Sequence, residues 1–145
     1  MKNNIVKKIL YACLGLYIIL LSSCQKDLAK LVESPKDISG SWQIVQLIRN
    51  KEDITPNLDL SKFRIVFNAD KTFTLQDQFS FVVSDPGTYS LDDPNYPSLL
   101  KLQTPNDTIG LNFEYPIING KRQIRFSISQ GCQGNNYEYS FLKAQ

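Results

Sequence analysis

Three cysteines, a few clustered carboxylates and no histidine limit what this chain can do chemically. Without an imidazole there is no Ser–His triad, no His-ligated metal and no His general base. The pairs Glu52-Asp53 and Asp92-Asp93 are adjacent in sequence, an arrangement that assigns neither an acid nor a base role. Asp85, Asp92, Asp93 and Asn95 gather oxygen ligands of the kind calcium takes, but in turn sequence and without calcium-loop spacing. We therefore expect no enzyme, no metal and no cofactor. Of the thiols, Cys132 lies in SQGCQGNN with no basic neighbour to lower its pKa, and reads as a loop thiol beside a strand. Cys24 differs: in YIILLSSCQKDLAK it stands where an apolar run meets a charged one.

What precedes Cys24 explains that border. Lys7 and Lys8 lead into an uncharged run from Ile9 to Leu21, about 13 residues. A membrane-spanning helix needs roughly 20, so length and flanks fit a secretory signal peptide better than an uncleaved anchor. Leu21-Ser22-Ser23-Cys24 resembles the lipobox of bacterial lipoproteins, Leu followed by two small residues and the cysteine. The resemblance implies that Cys24 receives a diacylglycerol and becomes the first residue of the mature chain after cleavage. Two acyl chains suffice for stable anchoring where one is marginal, so the expected partner is a membrane, reached through Cys24. The following CQKDL is similar to the export tag of surface lipoproteins in Bacteroidetes: Lys26 and Asp27 match, and Leu28 replaces a second acid. The implied location is the outer membrane, at its periplasmic face or at the cell surface.

The expected organisation is a signal peptide over 1–23, an acylated cysteine and tether over 24–37, and one β domain over 38–145. Pro35 ends any helical turn that Leu28, Leu31 and Val32 start in the tether. Hydrophobic content of 42% is a globular value that can supply one core. Removing Lys2, Lys7 and Lys8 with the signal leaves thirteen basic against fourteen acidic residues, scattered along the chain. No electrostatic footprint for nucleic acid remains. Cys13 leaves with the signal and Cys24 is acylated, so Cys132 has no disulfide partner within the chain.

From Ser39 onward the hydrophobic period is two and turn signals recur at short intervals. GSWQIVQLIR places Trp42, Ile44 and Ile48 on one face. KFRIVFN points Phe63, Ile65 and Phe67 inward, and TFTLQ adds Phe73 and Leu75. A further strand is expected over Phe79 to Val83, then TYSL with Tyr89, SLLKLQ, and DTIGLNFEY with Phe113. Asn119-Gly120 marks a hairpin, since both positions of a type I′ turn need positive φ. It joins EYPII to RQIRFSIS, which carries Phe126 inward, before YEYSFLK with Tyr139 and Phe141. The segment NKEDITPNLDLSK has room for one helical turn. The pattern predicts an all-β, antiparallel barrel or closely related sandwich of eight or nine strands.

Gly40-Ser41-Trp42 at the first strand resembles the Gly-x-Trp signature of lipocalin and related calycin barrels. Together with FRIVFNADKTFTL it makes the body similar to lipocalin-like lipoproteins of Bacteroidetes. The resemblance implies that Trp42 closes one end of the barrel while Gly40 lets the chain bend there. Calycins stack an arginine of the last strand on that tryptophan; here the final strand offers only Lys143, with Arg122 and Arg125 on the strand before. The implied function is non-catalytic binding of a small apolar ligand or an envelope component. Phe63, Ile65, Phe67, Phe73, Tyr89, Phe113, Phe126, Tyr139 and Phe141 are the candidate lining, bulky enough to favour a filled interior over a wide one. An accessory module of a surface complex is the alternative, with Tyr96, Tyr115 and Tyr137 as flat aromatics for a glycan. Asp107-Thr108-Ile109 matches the Bacteroidetes O-glycosylation pattern, with Thr108 as acceptor.

Overall fold

The computed structural model describes residues 33–77, 82–129, 131 and 134–144. Leu21, Ser22, Ser23, Cys24, most of the tether, residues 79–81 and Cys132 lie outside the described residues. Residues Glu33–Gln145 are one compact unit.

Among the described residues ten strands follow in chain order: β1 (Gly40–Arg49), β2 (Glu52–Asp53), β3 (Arg64–Phe67), β4 (Thr72–Gln76), β5 (Gly87–Leu91), β6 (Leu99–Gln103), β7 (Thr108–Glu114), β8 (Ile117–Ile118), β9 (Lys121–Ser129) and β10 (Asn136–Lys143). A 3-10 turn at Thr55–Asn57 occupies the segment where a helical turn has room. Eight of the strands are staves, each antiparallel to the next in sequence: β1, β3, β4, β5, β6, β7, β9 and β10. β10 pairs back onto β1, from Trp42 opposite Lys143 to Arg49 opposite Tyr137. The sheet is therefore a closed up-and-down barrel, and closure removes the open edges a sandwich would leave. The two-residue strands β2 and β8 are short additions to β1 and β9.

Alternation fills the interior. Along β9, Ile124 and Phe126 are buried while Lys121 and Arg122 are exposed; along β10, Tyr137, Tyr139 and Phe141 are buried. Leu100 and Leu102 of β6 and Leu111 of β7 complete the far wall. Asn119 and Gly120 both have positive φ, 51° and 74°, as the β8–β9 hairpin requires.

Two expectations are corrected. The period-two pattern predicts Ile48 on the inner face of β1, but a bulge shifts the register between Ile44 and Gln46, leaving Val45 unmatched and 39% exposed. An extra residue reverses the side-chain alternation, so Leu47, fully buried, takes the inner position. Val82 and Val83 do not continue a strand; they lie in the β4–β5 connection, half-buried against the core. The rest of the expected Phe79–Val83 strand lies outside the described residues.

The barrel has one end where the chain enters. Gly40 pairs with Phe67, Lys36 N–H donates to the Pro94 carbonyl at 2.7 Å, and the Tyr115 hydroxyl donates to the Asp37 carbonyl at 2.9 Å. The β3–β4, β5–β6 and β7–β8 connections thus share this entry end, and Ile38 is buried in it.

Candidate functional site: the barrel interior and its entry end

All nine candidate lining residues are buried in one core. Five of them, Phe63, Ile65, Phe126, Tyr139 and Phe141, surround an apolar cavity of about 20 Å³ together with Ile44, Leu75, Val82, Val83 and Leu102. One water needs about 10–15 Å³ of such space, and a small-molecule site spans roughly 300–1,000 Å³. This cavity, as the described residues bound it, has room for a water or so and not for a ligand. The aromatic rings occupy one another instead: Phe126 and Phe141 centroids are 4.7 Å apart, and Phe126 lies 5.6 Å from Tyr139. Burial pushes the Tyr139 phenol well above its usual pKa, so it is neutral at any physiological pH.

The other four pack towards the entry end. Phe67 meets Tyr89 edge-on at 4.8 Å and Phe73 at 6.5 Å. The Tyr89 hydroxyl donates to the Asn68 carbonyl at 3.0 Å, and burial raises its pKa. Phe113 stacks on Tyr115 at 6.2 Å.

Trp42 lies at this end. It is 1% exposed, and its indole N–H donates to the Ile38 carbonyl at 2.8 Å, which ties the entering chain across the barrel mouth. Gly40 sits at φ 123°, a region that side chains disfavour. A Cβ there would fall 2.6 Å from Cε of Lys143, so the missing side chain gives that lysine its path over the glycine. Lys143 Nζ reaches 5.9 Å from the Trp42 ring centroid. The arginine stack is displaced by one ring: Arg122 lies 4.7 Å over Tyr115, and Tyr115 meets Trp42 edge-on at 6.3 Å. Arg125 takes no part, standing 3.4 Å from both Glu114 and Glu138 on the outer wall.

Tyr115 lies between β7 and β8 and packs at the strand end. Its neighbours in sequence, Glu114 and Pro116, suggest a loop tyrosine, yet it is half-buried against Trp42 and Phe113. Tyr137 is also buried, which leaves Tyr96, 61% exposed, as the one outward ring of the three. Thr108 is exposed at the start of β7. Leu102, Val82 and Val83 also line the cavity, and the alternation of SLLKLQ, with Leu100 and Leu102 in phase, is the sequence signal for the first.

The carboxylates cap turns. Asp92 accepts from the Ser98 hydroxyl at 2.7 Å and from the Ser98 and Leu99 amides at 2.9 Å, which holds the β5–β6 loop shut. Those bonds hold its carboxyl far below the usual range, the Ser98 side chain contributing most. A depressed folded-state pKa adds stability that is complete above the unfolded value of 3.8 and fades as pH falls below it. Asp92→Asn is therefore expected to lower the melting temperature at pH 7. The gap to the parent should narrow in melts taken progressively below pH 3.8; a constant gap would remove the charge from the explanation.

No curated protein matches the chain. A family model described as a domain of unknown function, DUF5004, matches residues 22–142, which takes in the whole barrel except its last stave residue. The chain belongs to the DUF5004 family, and the family's domain in this chain is a closed eight-stranded antiparallel barrel.

Proposed function

We propose that this protein is a membrane-tethered, non-catalytic binding module of the cell envelope, anchored through Cys24. Its barrel presents its outer surface to an envelope component rather than carrying a small apolar ligand inside. The observation that carries this choice is the cavity among the core rings, of only about 20 Å³ and bounded by rings packed on one another. A carrier barrel would need at least about tenfold more space. The anchoring half of the proposal is supported by the Leu21-Ser22-Ser23-Cys24 run behind a short apolar segment. The Lys26-Asp27 pair supports an outer-membrane address.

Intact mass spectrometry of the full chain expressed in a bacterium, extracted from membranes and incubated with total lipid extract, reads both halves. The expected spectrum lacks residues 1–23, carries diacylglycerol and an amide-linked acyl chain on Cys24, and shows no further stoichiometric apolar adduct under native conditions. An unacylated precursor would sink the anchor. A retained one-to-one adduct of an uncharged apolar molecule would sink the filled interior.

A further inference from the structure

On the outside of the barrel at its entry end, β1, β9 and β10 form a groove of about 590 Å³. Gln43, Val45, Leu142 and Ala144 make its neutral lining; Lys121, Arg122 and Lys143 supply three cations, and no carboxylate lines it among the described residues. The patch runs against the balance of the molecule, since residues 33–145 carry eleven basic and thirteen acidic residues. Apolar groups border the same cations. Val45 is turned outward by the β1 bulge, and Ile117, 61% exposed, pairs with Arg122 across the β8–β9 hairpin. Arg122 is held in place by donating to the Tyr115 carbonyl at 2.8 Å while lying over that ring. A cation fixed in this way loses little freedom on meeting a phosphate.

The chain also enters the barrel at this end. Nine peptide units separate Cys24 from Glu33, a reach of at most about 30 Å fully extended. We infer that the groove is a docking surface for anionic lipid headgroups of the membrane that holds Cys24, a second contact that orients the barrel with its entry end down. The inference rests on the tether proposed above. Lys121, Arg122 and Lys143 take the phosphates, while Val45 and Ile117 enter the interface, the arrangement of a basic, partly apolar membrane-surface site.

Among the described residues the barrel closes on itself with its core between Ile38 and Phe141, so residues 33–145 serve as the test fragment. Lacking Cys24, the fragment reads the groove alone, whereas acylation of the full chain reads the anchor alone. In co-sedimentation at low salt, it is expected to bind phosphatidylcholine vesicles containing phosphatidylglycerol and to ignore pure phosphatidylcholine. Lys121→Glu should weaken binding by at least about fivefold, the worth of one cation at an anionic surface. Lys101→Glu, exposed on β6 and away from the groove, changes the net charge equally and should leave binding as it was. Circular dichroism melts matching the parent confirm that both variants fold. No binding to the anionic vesicles, equal binding to both vesicle types, or equal loss in the two variants overturns the proposal. Dimerisation through the groove without vesicle binding does so too, assigning it to a second copy.

Discussion

Trp42→Ala is expected to lower the stability of the 33–145 barrel by about 3–5 kcal/mol, the usual cost of emptying a buried large aromatic site. Against a typical total of about 5–15 kcal/mol, that is a large fraction of the whole. Three losses coincide. The indole leaves a cavity at the entry end, Tyr115 and Lys143 lose the ring they pack against, and the Ile38 carbonyl loses its donor. Trp42→Phe separates them, because it keeps most of the ring and removes the N–H; a buried carbonyl left without its donor costs about 1–3 kcal/mol. Trp42 is the only tryptophan, so the readout must be far-ultraviolet circular dichroism in urea rather than fluorescence. The expected order of midpoints is parent, then Trp42→Phe, then Trp42→Ala with a melting temperature about 12 °C or more below the parent. A Trp42→Ala midpoint close to the parent would mean that the entry end does not hold the barrel together.

The same residue shows how far local sequence reaches. Gly40-x-Trp42 is legible because both requirements are local: a φ of 123° needs glycine, and a tryptophan two residues on must face inward. The eight staves are legible for a similar reason, since period-two burial and turn residues such as Asn119-Gly120 are written within a few residues of where they act. The β1 bulge is not, because Val45 is an ordinary strand residue and carries no mark of being the extra one. Nor is β2, whose turn runs through Asn50 and Lys51, both at positive φ and neither a glycine.

The site is less legible than the fold because its contacts join distant staves. The cation opposite Trp42 belongs to β10, and the arginine stack sits one ring away on β9, a division fixed by three-dimensional register alone. Bulky inward residues favour a filled interior. How nearly it is filled depends on ring packing such as Phe63 against Phe141, 6.5 Å apart, which no alternation pattern encodes. The basic groove is harder still: Lys121, Arg122 and Lys143 are scattered cations until β9 and β10 pair and the bulge turns Val45 towards them.

Closure of the barrel is tested most sharply at Gly87. A Cβ on this residue would lie 1.9 Å from the Gln103 carbonyl oxygen and 2.8 Å from its carbon, both backbone atoms of the neighbouring stave. No rotamer change relieves a clash with backbone, so Gly87→Ala must push β5 away from β6. The opposite side of β5 gives little support, for Thr72–Thr88 and Phe73–Gly87 are the pairs that hold it to β4 among the described residues. Overpacking costs about 1–3 kcal/mol and sometimes more, and a contact this short on a fixed neighbour belongs at the upper end. Gly110→Ala is the matched control: its Cβ meets only Leu99 side-chain atoms, at 3.5 Å and beyond, and its effect should stay within about 0.5 kcal/mol. Amide exchange separates local from global damage. If β4, β5 and β6 lose protection in Gly87→Ala while β9 and β10 keep theirs, the seam opens first and the barrel is held from its β9–β10–β1 side. Uniform loss would mean that the staves open together, and parent-like protection throughout would contradict the close approach of β5 and β6.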